Sequence, residues 1–194
     1  MQYRLTPYAF STPPCAWWDG AFTDDELNQL ENEALSAQIR AITGNAQSED
    51  LDEIRRSHVK WFDCDSKNQW VYEKLAHVVS SLNSQHFYYD LSGFAEPFQL
   101  TKYEMSQQGM YTWHTDSGAG GKPCRKLSLV LQLTDPSKYE GGNLQLCVGK
   151  DPITIEKRRG LITVFPSFVL HQVTPVVSGV RTSLVSWISG PPFR

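Results

Sequence analysis

The sequence has few features that would assign it to a membrane, a secretory compartment or a nucleic-acid partner. It contains no apolar run of 18 residues, and Pro7, Pro13, Pro14 and Asp19 interrupt the N-terminal stretch, so neither a spanning helix nor a signal peptide is predicted. The formal net charge of −3 gives no electrostatic attraction to nucleic acid or to an anionic membrane. We therefore expect a soluble cytoplasmic protein with neither kind of partner.

Cysteine is also scarce. The four cysteines, Cys15, Cys64, Cys124 and Cys147, lie far apart and form no CxxC pair. This spacing disfavours a structural zinc finger. Free, reduced thiols agree with the expected cytoplasmic location.

Two amphipathic helices are predicted in the first half of the chain. Thr23 and Glu26 have the spacing of a capping box at the start of "FTDDELNQLENEALS". A second amphipathic pattern covers residues 68–83. Between the helices, the small and acidic residues of 43–53 predict a mobile loop, and "IRRSHVKWF" predicts a strand.

From residue 97 onward the chain breaks into short strand-like segments, separated by Gly, Pro, Asn or Asp. About eight such segments suit a jelly roll. We predict a mainly β (α+β) fold, with the N-terminal helices packed on the outside of one sheet. It forms a single domain over 1–194, with helices and first strands in 1–96 and the jelly-roll core in 97–194.

The tripeptide "HTD" is the first candidate for chemistry. Residues i and i+2 of a strand point to the same face, so His114 and Asp116 are expected to project together. Such a pair is either a hydrogen-bonded polar pair at a sheet rim or two ligands of one divalent metal.

A third candidate ligand lies in "FPSFVLHQVTPV". An imidazole buried among the apolar neighbours of His171 needs a polar partner. Two histidines and one carboxylate form the facial triad of non-haem Fe(II) sites, a set that disfavours calcium and magnesium but leaves zinc or manganese open. Ten residues later, Arg181 and Ser183 share a strand face and could hold a carboxylate. Alone, Arg181 could equally be an ordinary surface or salt-bridged arginine.

Together, "HTD", a histidine after 54 further residues and an arginine ten positions beyond it resemble the pattern of Fe(II)- and 2-oxoglutarate-dependent dioxygenases, whose fold is a double-stranded β-helix, related to the cupins. The segments "KYEMSQQGMYTWHTD", "EGGNLQL" and "IEKRRGLITVFPSFVLHQVTPV" are similar to the family's approach to the first histidine, its paired-glycine turn and its last strand pair. The spacing in "RRSHVKWF" and the position of Trp187 resemble prolyl 4-hydroxylases, including small microbial and viral members. The likeness covers residues 54–190.

The resemblance implies a ligand and cofactor set. Fe(II) would be held by the catalytic residues His114, Asp116 and His171, with 2-oxoglutarate as co-substrate, O2 as oxidant and ascorbate as a further cofactor. The co-substrate would be bound by Arg181, Ser183 and Tyr103. Substrate would be bound near the mouth by Arg55, Trp61, Tyr111, Arg125 and Trp187. For the tyrosines and Trp61, packing at the sheet core or rim remains open as the alternative.

Two positions depart from the collagen-type prolyl hydroxylases that the sequence resembles. Those enzymes have lysine where this chain has Arg181, which leaves carboxylate binding intact. Some relatives have tyrosine around the position of Leu131, and the apolar residue here leaves the composition of the co-substrate pocket open.

The resemblance implies hydroxylation of an unactivated C–H bond, coupled to conversion of 2-oxoglutarate to succinate and CO2. We expect 4-hydroxylation of a proline in a peptide or flexible protein segment, because aromatic residues at the mouth suit an extended, proline-rich chain. Asp116 counts against halogenation. Residues 43–53 and "DSGAGGKP" are candidate lids. We expect a monomer.

Three alternatives to a peptide hydroxylase remain open. A hydroxylase of a free amino acid or another small molecule would have a narrower pocket. A non-catalytic, cupin-like metal-binding module would not need Arg181 and Ser183. A zinc hydrolase would need a general-base carboxylate, which is not evident beside the triad.

Overall fold

The computed structural model describes residues 13–41, 51–117 and 123–193. Its helices are α1 (Asp24–Leu35), α2 (Leu51–Ile54) and α3 (Gln69–Leu82), and a π-helical turn, Asn83–Phe87, continues α3. Its strands are β1 (Ala16–Trp18), β2 (Ile39–Arg40), β3 (Arg55–Arg56), β4 (His58–Phe62), β5 (Phe98–Glu104), β6 (Met110–His114), β7 (Arg125–Gln132), β8 (Tyr139–Gly141), β9 (Leu144–Cys147), β10 (Ile153–Thr154), β11 (Ile162–Pro166), β12 (Leu170–Val173) and β13 (Val176–Ser189).

The strands form two sheets. The large sheet has the order β1-β11-β7-β13-β5-β4-β2, with β8 paired to the start of β13, and the small sheet has the order β10-β9-β12-β6-β3. Every one of these pairings is antiparallel. Apolar side chains of both sheets, among them Val130, Leu146 and Phe165, meet in a core between them. The predicted mainly β fold with a double sheet is confirmed.

Strand β7 shows how its sequence separates the two sides of the large sheet. Its leucines Leu127, Leu129 and Leu131 alternate with more polar residues, and period two places these sets on opposite faces. The leucines join the main apolar core, which also contains Leu30 of α1 and Leu75 of α3. The opposite face of β7 is turned toward the small sheet.

The helices pack on the outside of the large sheet, as predicted. Helix α1 begins with the expected capping box: the Thr23 amide donates to Glu26 Oε2 (2.8 Å), and the Glu26 amide donates to Thr23 Oγ1 (3.4 Å). Helix α3 occupies almost the predicted range of residues 68–83.

The predicted strand "IRRSHVKWF" is divided between the two sheets. Strand β3 pairs with β6 of the small sheet, whereas β4 pairs with β5 of the large sheet. Ser57 lies between them, and the buried guanidinium of Arg55 donates to its hydroxyl over 2.8 Å. The prediction of one continuous strand was therefore wrong, because buried polar contacts favour a crossing at this point.

The predicted loop and lid segments lie mostly outside the described residues. Of residues 43–53, only 51–53 are described, and they belong to α2 rather than to a loop. The lid glycines Gly118, Gly120 and Gly121 fall in a range that is not described. Within the described ranges, no helix is long and apolar enough to span a membrane. All four cysteines are described, and each is free.

Candidate metal and co-substrate site

The two histidines of the predicted triad face each other across the small sheet. His114 ends β6, and the strand register places it directly opposite His171 of β12. Their ring centroids are 4.1 Å apart. Tyr111 stacks on the His114 ring at 3.4 Å, and Phe165 packs edge-on against His171 at 4.8 Å, so packing restrains both imidazoles. The long-range pairing thus brings together two residues that are 57 positions apart in the sequence.

Asp116 reaches the same point, although the reason predicted for this was incomplete. Strand β6 ends at His114, so Asp116 is not held by strand alternation. Its amide instead donates to the Ser167 carbonyl over 2.8 Å. The Ser128 hydroxyl donates to Asp116 Oδ2 over 2.8 Å and also contacts the Ser167 hydroxyl at 3.0 Å. Contacts from the β7 strand and from the turn before β12 therefore orient the carboxylate.

The donor atoms of these three residues fit one metal ion. Their ligand atoms lie within 4.8 Å of one another, with His114 Nε2 at 3.8 Å and His171 Nε2 at 3.3 Å from the Asp116 carboxylate. Nδ1 of His114 lies 2.7 Å from the Thr112 carbonyl, and Nδ1 of His171 lies 2.9 Å from the Val169 carbonyl. Because a carbonyl only accepts, each Nδ1 carries the proton, and each Nε2 keeps its lone pair for a metal.

The electrostatics of the group favour a cation. Burial and the neighbouring imidazole of His171 lower the pKa of His114 to about 4, which keeps this ring neutral near pH 7. Burial alone would raise the pKa of Asp116, but its two histidine neighbours, His171 above all, lower it below its usual range. One carboxylate beside two imidazoles is the donor set of a facial triad.

A cationic wall lines the same cavity. Arg181 and Ser183 of β13 are both buried, and Arg181 Nη1 lies 3.5 Å from the Ser183 hydroxyl. Tyr103 is the strand partner of Arg181, whose guanidinium carbon lies 5.5 Å from the Tyr103 ring centroid. All three residues line the cavity that holds the His114, Asp116 and His171 side chains. The structure thus brings the predicted anion-binding residues and the triad together.

Three of the five predicted substrate residues line this cavity: Arg55, Tyr111 and Trp187. Arg55 lies 4.6 Å from the Tyr111 ring centroid and donates to Gln99 Oε1. Trp61 and Arg125 are not part of the lining but flank Trp187, with the Arg125 guanidinium carbon 3.8 Å from its ring centroid. Arg125 also forms two short hydrogen bonds with Glu96.

The structure decides which residues of β7 line the cavities, a point that the sequence left open around Leu131. Leu131 belongs to the helix-facing core, and the residues of β7 that line the cavities are its neighbours Val130 and Gln132. Ser128 and Gln132, which lie on the face opposite the leucines, could have shown this, because polar residues on one face of a buried strand indicate an internal polar wall. The same signal would have identified Ser128 as a support for the metal site.

The remaining histidines stay apart from the triad. His58 Nδ1 lies 3.4 Å from Glu104 Oε2, and His77 packs against Trp18 at 5.9 Å. His86 contacts Phe87 at 6.4 Å. In the described part of the chain, the triad is the one group of three His, Cys, Asp or Glu residues with metal-binding spacing.

Comparison with known proteins gives the same assignment as the site. Residues 98–189 match the model of the 2OG-Fe(II) oxygenase superfamily. A PKHD-type hydroxylase from Synechococcus sp. (strain CC9311) is 36% identical over 101 residues, which is 50% of this chain and 46% of that protein. The chain thus matches less than half of this relative's length.

Solved structures show the fold. A Pseudomonas putida prolyl-4-hydroxylase superposes with a TM-score of 0.71 at 20% identity, covering 94% of this chain and 96% of the other. A prolyl hydroxylase from Trichoplax adhaerens, solved with a hypoxia inducible factor oxygen degradation domain peptide fragment, gives a TM-score of 0.74 at 15% identity over 93% and 86%. The fold is the double-stranded β-helix, and these two prolyl hydroxylases share it. The family model confirms the predicted resemblance to Fe(II)- and 2-oxoglutarate-dependent dioxygenases.

Proposed function

We propose that this protein is an Fe(II)- and 2-oxoglutarate-dependent dioxygenase that hydroxylates a prolyl residue of a peptide at carbon 4. The observation that carries the proposal is one cavity that has metal-binding groups in one part and anion-binding groups in another. A carboxylate and two imidazoles line one part, and a buried arginine with a serine and a tyrosine lines another. These are the groups that a divalent cation and a dicarboxylic acid require, respectively.

His114, Asp116 and His171 would hold the iron, and their supporting hydrogen bonds would keep the ligands in register. When bound, the iron would supply the coupled oxidation in which 2-oxoglutarate and O2 give succinate and CO2 while one oxygen atom enters the substrate C–H bond. Arg181 and Ser183 would fix the far carboxylate of the co-substrate, and Tyr103 would pack beside it.

Burial of the site contributes to the same chemistry. Asp116, His171, Arg181 and Tyr103 are all at least nine-tenths buried, so little water reaches the triad and the arginine. Electrostatic attraction is stronger where water is excluded, and side reactions with water are suppressed. The protein would therefore bind and orient the co-substrate and the substrate and shield them from water, while the cofactor supplies the oxidative step.

A peptide substrate is supported by the residues around the cavity. Trp61 is 45% exposed and lies 6.5 Å from Trp187, ring centroid to ring centroid. Exposed aromatic faces of this kind suit a proline-rich chain, which is already extended and loses little entropy on binding. The Trichoplax adhaerens neighbour was solved with a peptide fragment, which supports the same substrate class. Arg55, Tyr111 and Arg125 would complete the peptide site, and ascorbate would be a further cofactor.

The experiment is a succinate assay. Protein reconstituted with Fe(II) under anaerobic conditions is given 2-oxoglutarate and oxygen, with and without a proline-rich peptide, and the peptide is examined by mass spectrometry. We expect succinate formation that the peptide stimulates, together with a mass increase of one oxygen atom, about 16 Da, on a proline.

The matched control is Asp116→Ala, which should form no succinate. Succinate without stimulation by any peptide would retain the dioxygenase but exclude peptidyl proline in favour of a small-molecule substrate. If the wild-type protein binds iron but forms no succinate under any condition, the proposed activity is wrong and the chain is a metal-binding module.

A further inference from the structure

A second cavity adjoins the arginine wall of the site. Arg181 lines both cavities, together with Val130 and Leu144. The second cavity is also lined by Gln132, Tyr139 and Lys157, none of which the sequence pattern had identified. Arg181 therefore has polar neighbours beyond Ser183 and Tyr103.

Tyr139 places a phenol close to Arg181. The Tyr139 side chain is 4% exposed, and its hydroxyl accepts a hydrogen bond from Gln132 Nε2 over 3.1 Å. Gln132 Nε2 also donates to the Thr134 carbonyl over 3.0 Å, which fixes the amide. Burial raises the pKa of Tyr139, and the nearby charge of Arg181 opposes this rise. Because its oxygen already accepts from Gln132, the phenol O–H is left to donate.

Lys157 adds a second positive charge to this cavity. Its Nζ lies 4.7 Å from the Tyr139 ring centroid and 2.5 Å from the Gly141 carbonyl. Burial lowers the pKa of Lys157, and the positive charge of Arg181 lowers it further. In the described residues, neither Lys157 nor Arg181 has a carboxylate oxygen within 4.0 Å. Glu156 also lines the cavity, but its carboxylate is paired with Arg158 at 3.0 Å, and the charge of Glu140 acts on Lys157 from beyond 4.0 Å. The two cations therefore have no direct carboxylate partner in the described residues, which favours an anionic ligand.

The paired-glycine turn gives these side chains their space. Gly142 has φ +56°, and a Cβ atom there would lie 2.9 Å from Arg181 Cδ and 3.4 Å from Tyr139 Cε2. A side chain at this position would therefore push against both residues. The backbone of the turn is built around the Arg181 and Tyr139 side chains.

We propose that Lys157 and Tyr139 are specificity-determining residues that recognise, together with Arg181, the second carboxylate of a 2-oxo dicarboxylic acid. They would select the dicarboxylate over a 2-oxo monocarboxylic acid of the same length. The carboxylate would take the phenol hydrogen of Tyr139 as a hydrogen bond and would lie between two cationic groups. This inference rests on the proposed function, since it assigns further residues to the co-substrate part of that site.

Calorimetric titration under anaerobic conditions tests the inference without turnover. Protein loaded with Mn(II) is titrated with 2-oxoglutarate and with 2-oxopentanoate, which has the same five-carbon chain but lacks the second carboxylate. We expect Lys157→Met and Tyr139→Phe each to weaken 2-oxoglutarate binding by at least about 10-fold, the lower end of the range for a hydrogen bond to a charged group. The affinity of both variants for 2-oxopentanoate should stay within about twofold of the wild-type value, because this acid has no second carboxylate for Lys157 or Tyr139 to contact.

The controls separate recognition from structure. Lys150→Met removes a positive charge from an exposed turn and should change neither affinity. Lys157→Arg should restore most of the discrimination, since it keeps the charge. Equal weakening of both acids by Lys157→Met would overturn the inference and assign the lysine to tethering the turn through Gly141. Unchanged affinities in both variants would also overturn it.

Failure of this inference is distinguishable from failure of the proposed function. If the wild-type protein binds 2-oxoglutarate and forms succinate but the variants retain full discrimination, only the roles of Lys157 and Tyr139 are wrong. If the wild-type protein binds neither acid, the proposed function itself is wrong.

Discussion

The metal part and the arginine part of the cavity are built from opposite charges on different sheets. His114 and His171 belong to the small sheet and flank the carboxylate of Asp116. Arg181 belongs to the large sheet, and its neighbours are hydroxyl groups and a second cation, Lys157, from the segment before β11. Each part therefore carries a charge that a ligand of opposite sign would balance.

The two parts also differ in how their key side chain is held. Three hydrogen bonds of the described residues converge around Asp116: from its amide to the Ser167 carbonyl, from the Ser128 hydroxyl to its carboxylate, and between the hydroxyls of Ser128 and Ser167. Arg181 donates a long hydrogen bond to the Ser183 hydroxyl and lies against the Tyr103 ring and Gly142. A metal ion needs fixed ligand geometry, whereas an arginine that binds a carboxylate tolerates some adjustment. We therefore expect substitutions to weaken metal binding and 2-oxoglutarate binding independently of each other.

The largest effect is expected from Asp116→Ala, which removes the only carboxylate of the triad. Only the two imidazoles would remain as ligands, so Co(II) affinity should fall by more than about 100-fold, the upper range for losing a residue that merely supports a ligand. The d–d absorption of bound Co(II) measures this. Asp151→Ala, on an exposed turn, is the control and should bind Co(II) like the wild-type protein. Retained Co(II) binding in Asp116→Ala would mean that the triad is not the metal site.

The second largest effect is expected from Arg181→Met, which should weaken 2-oxoglutarate binding without changing metal binding. An unpaired buried carboxylate costs about 2–5 kcal/mol, so affinity for 2-oxoglutarate should fall at least about 30-fold. Co(II) binding should be unchanged, because no contact links Arg181 to the triad ligands in the described residues. Arg181→Lys should recover much of the loss. A joint loss of Co(II) and 2-oxoglutarate binding in Arg181→Met would contradict the separation of the two parts.

The smallest effect is expected from Ser128→Ala, which removes a support rather than a ligand. Asp116 would lose its 2.8 Å hydrogen bond, and Co(II) affinity should fall by about 10-fold. Ser186→Ala is a matched control, because Ser186 is also a buried serine of the large sheet but its hydroxyl has no hydrogen-bond partner in the described residues. Equal Co(II) affinities in the two variants would show that the carboxylate is held without Ser128.

Much of this site follows from local sequence. The spacing of His114, Asp116, His171 and Arg181 predicted one metal site with an anion anchor, and the structure places all four side chains in one cavity. The capping box at Thr23 was predicted correctly because a cap depends on residues only three positions apart. Strand and helix periodicities likewise predicted the two sheets and the helical layer.

Other features depended on contacts between distant segments. Sequence alternation assigned Asp116 to a strand face, but Ser128 and Ser167, which orient it, come from other segments. The crossing of the chain between sheets at Ser57 depends on the buried Arg55 and its bond to Gln99, 44 positions away. Period two separates the two faces of β7, but it does not say which face meets the helices, so only the structure places Leu131 in the helix-facing core and Val130 on the cavity wall.

The sequence by itself therefore determined the donor set, the element types and the repeating faces, because these depend on residue chemistry and on short-range geometry. Only the tertiary structure decided which face became the cavity wall, which serines support the carboxylate, and that Tyr139 and Lys157 stand beside Arg181. The physical reason is that strand pairing and burial are long-range: each partner is chosen by packing against residues tens of positions away.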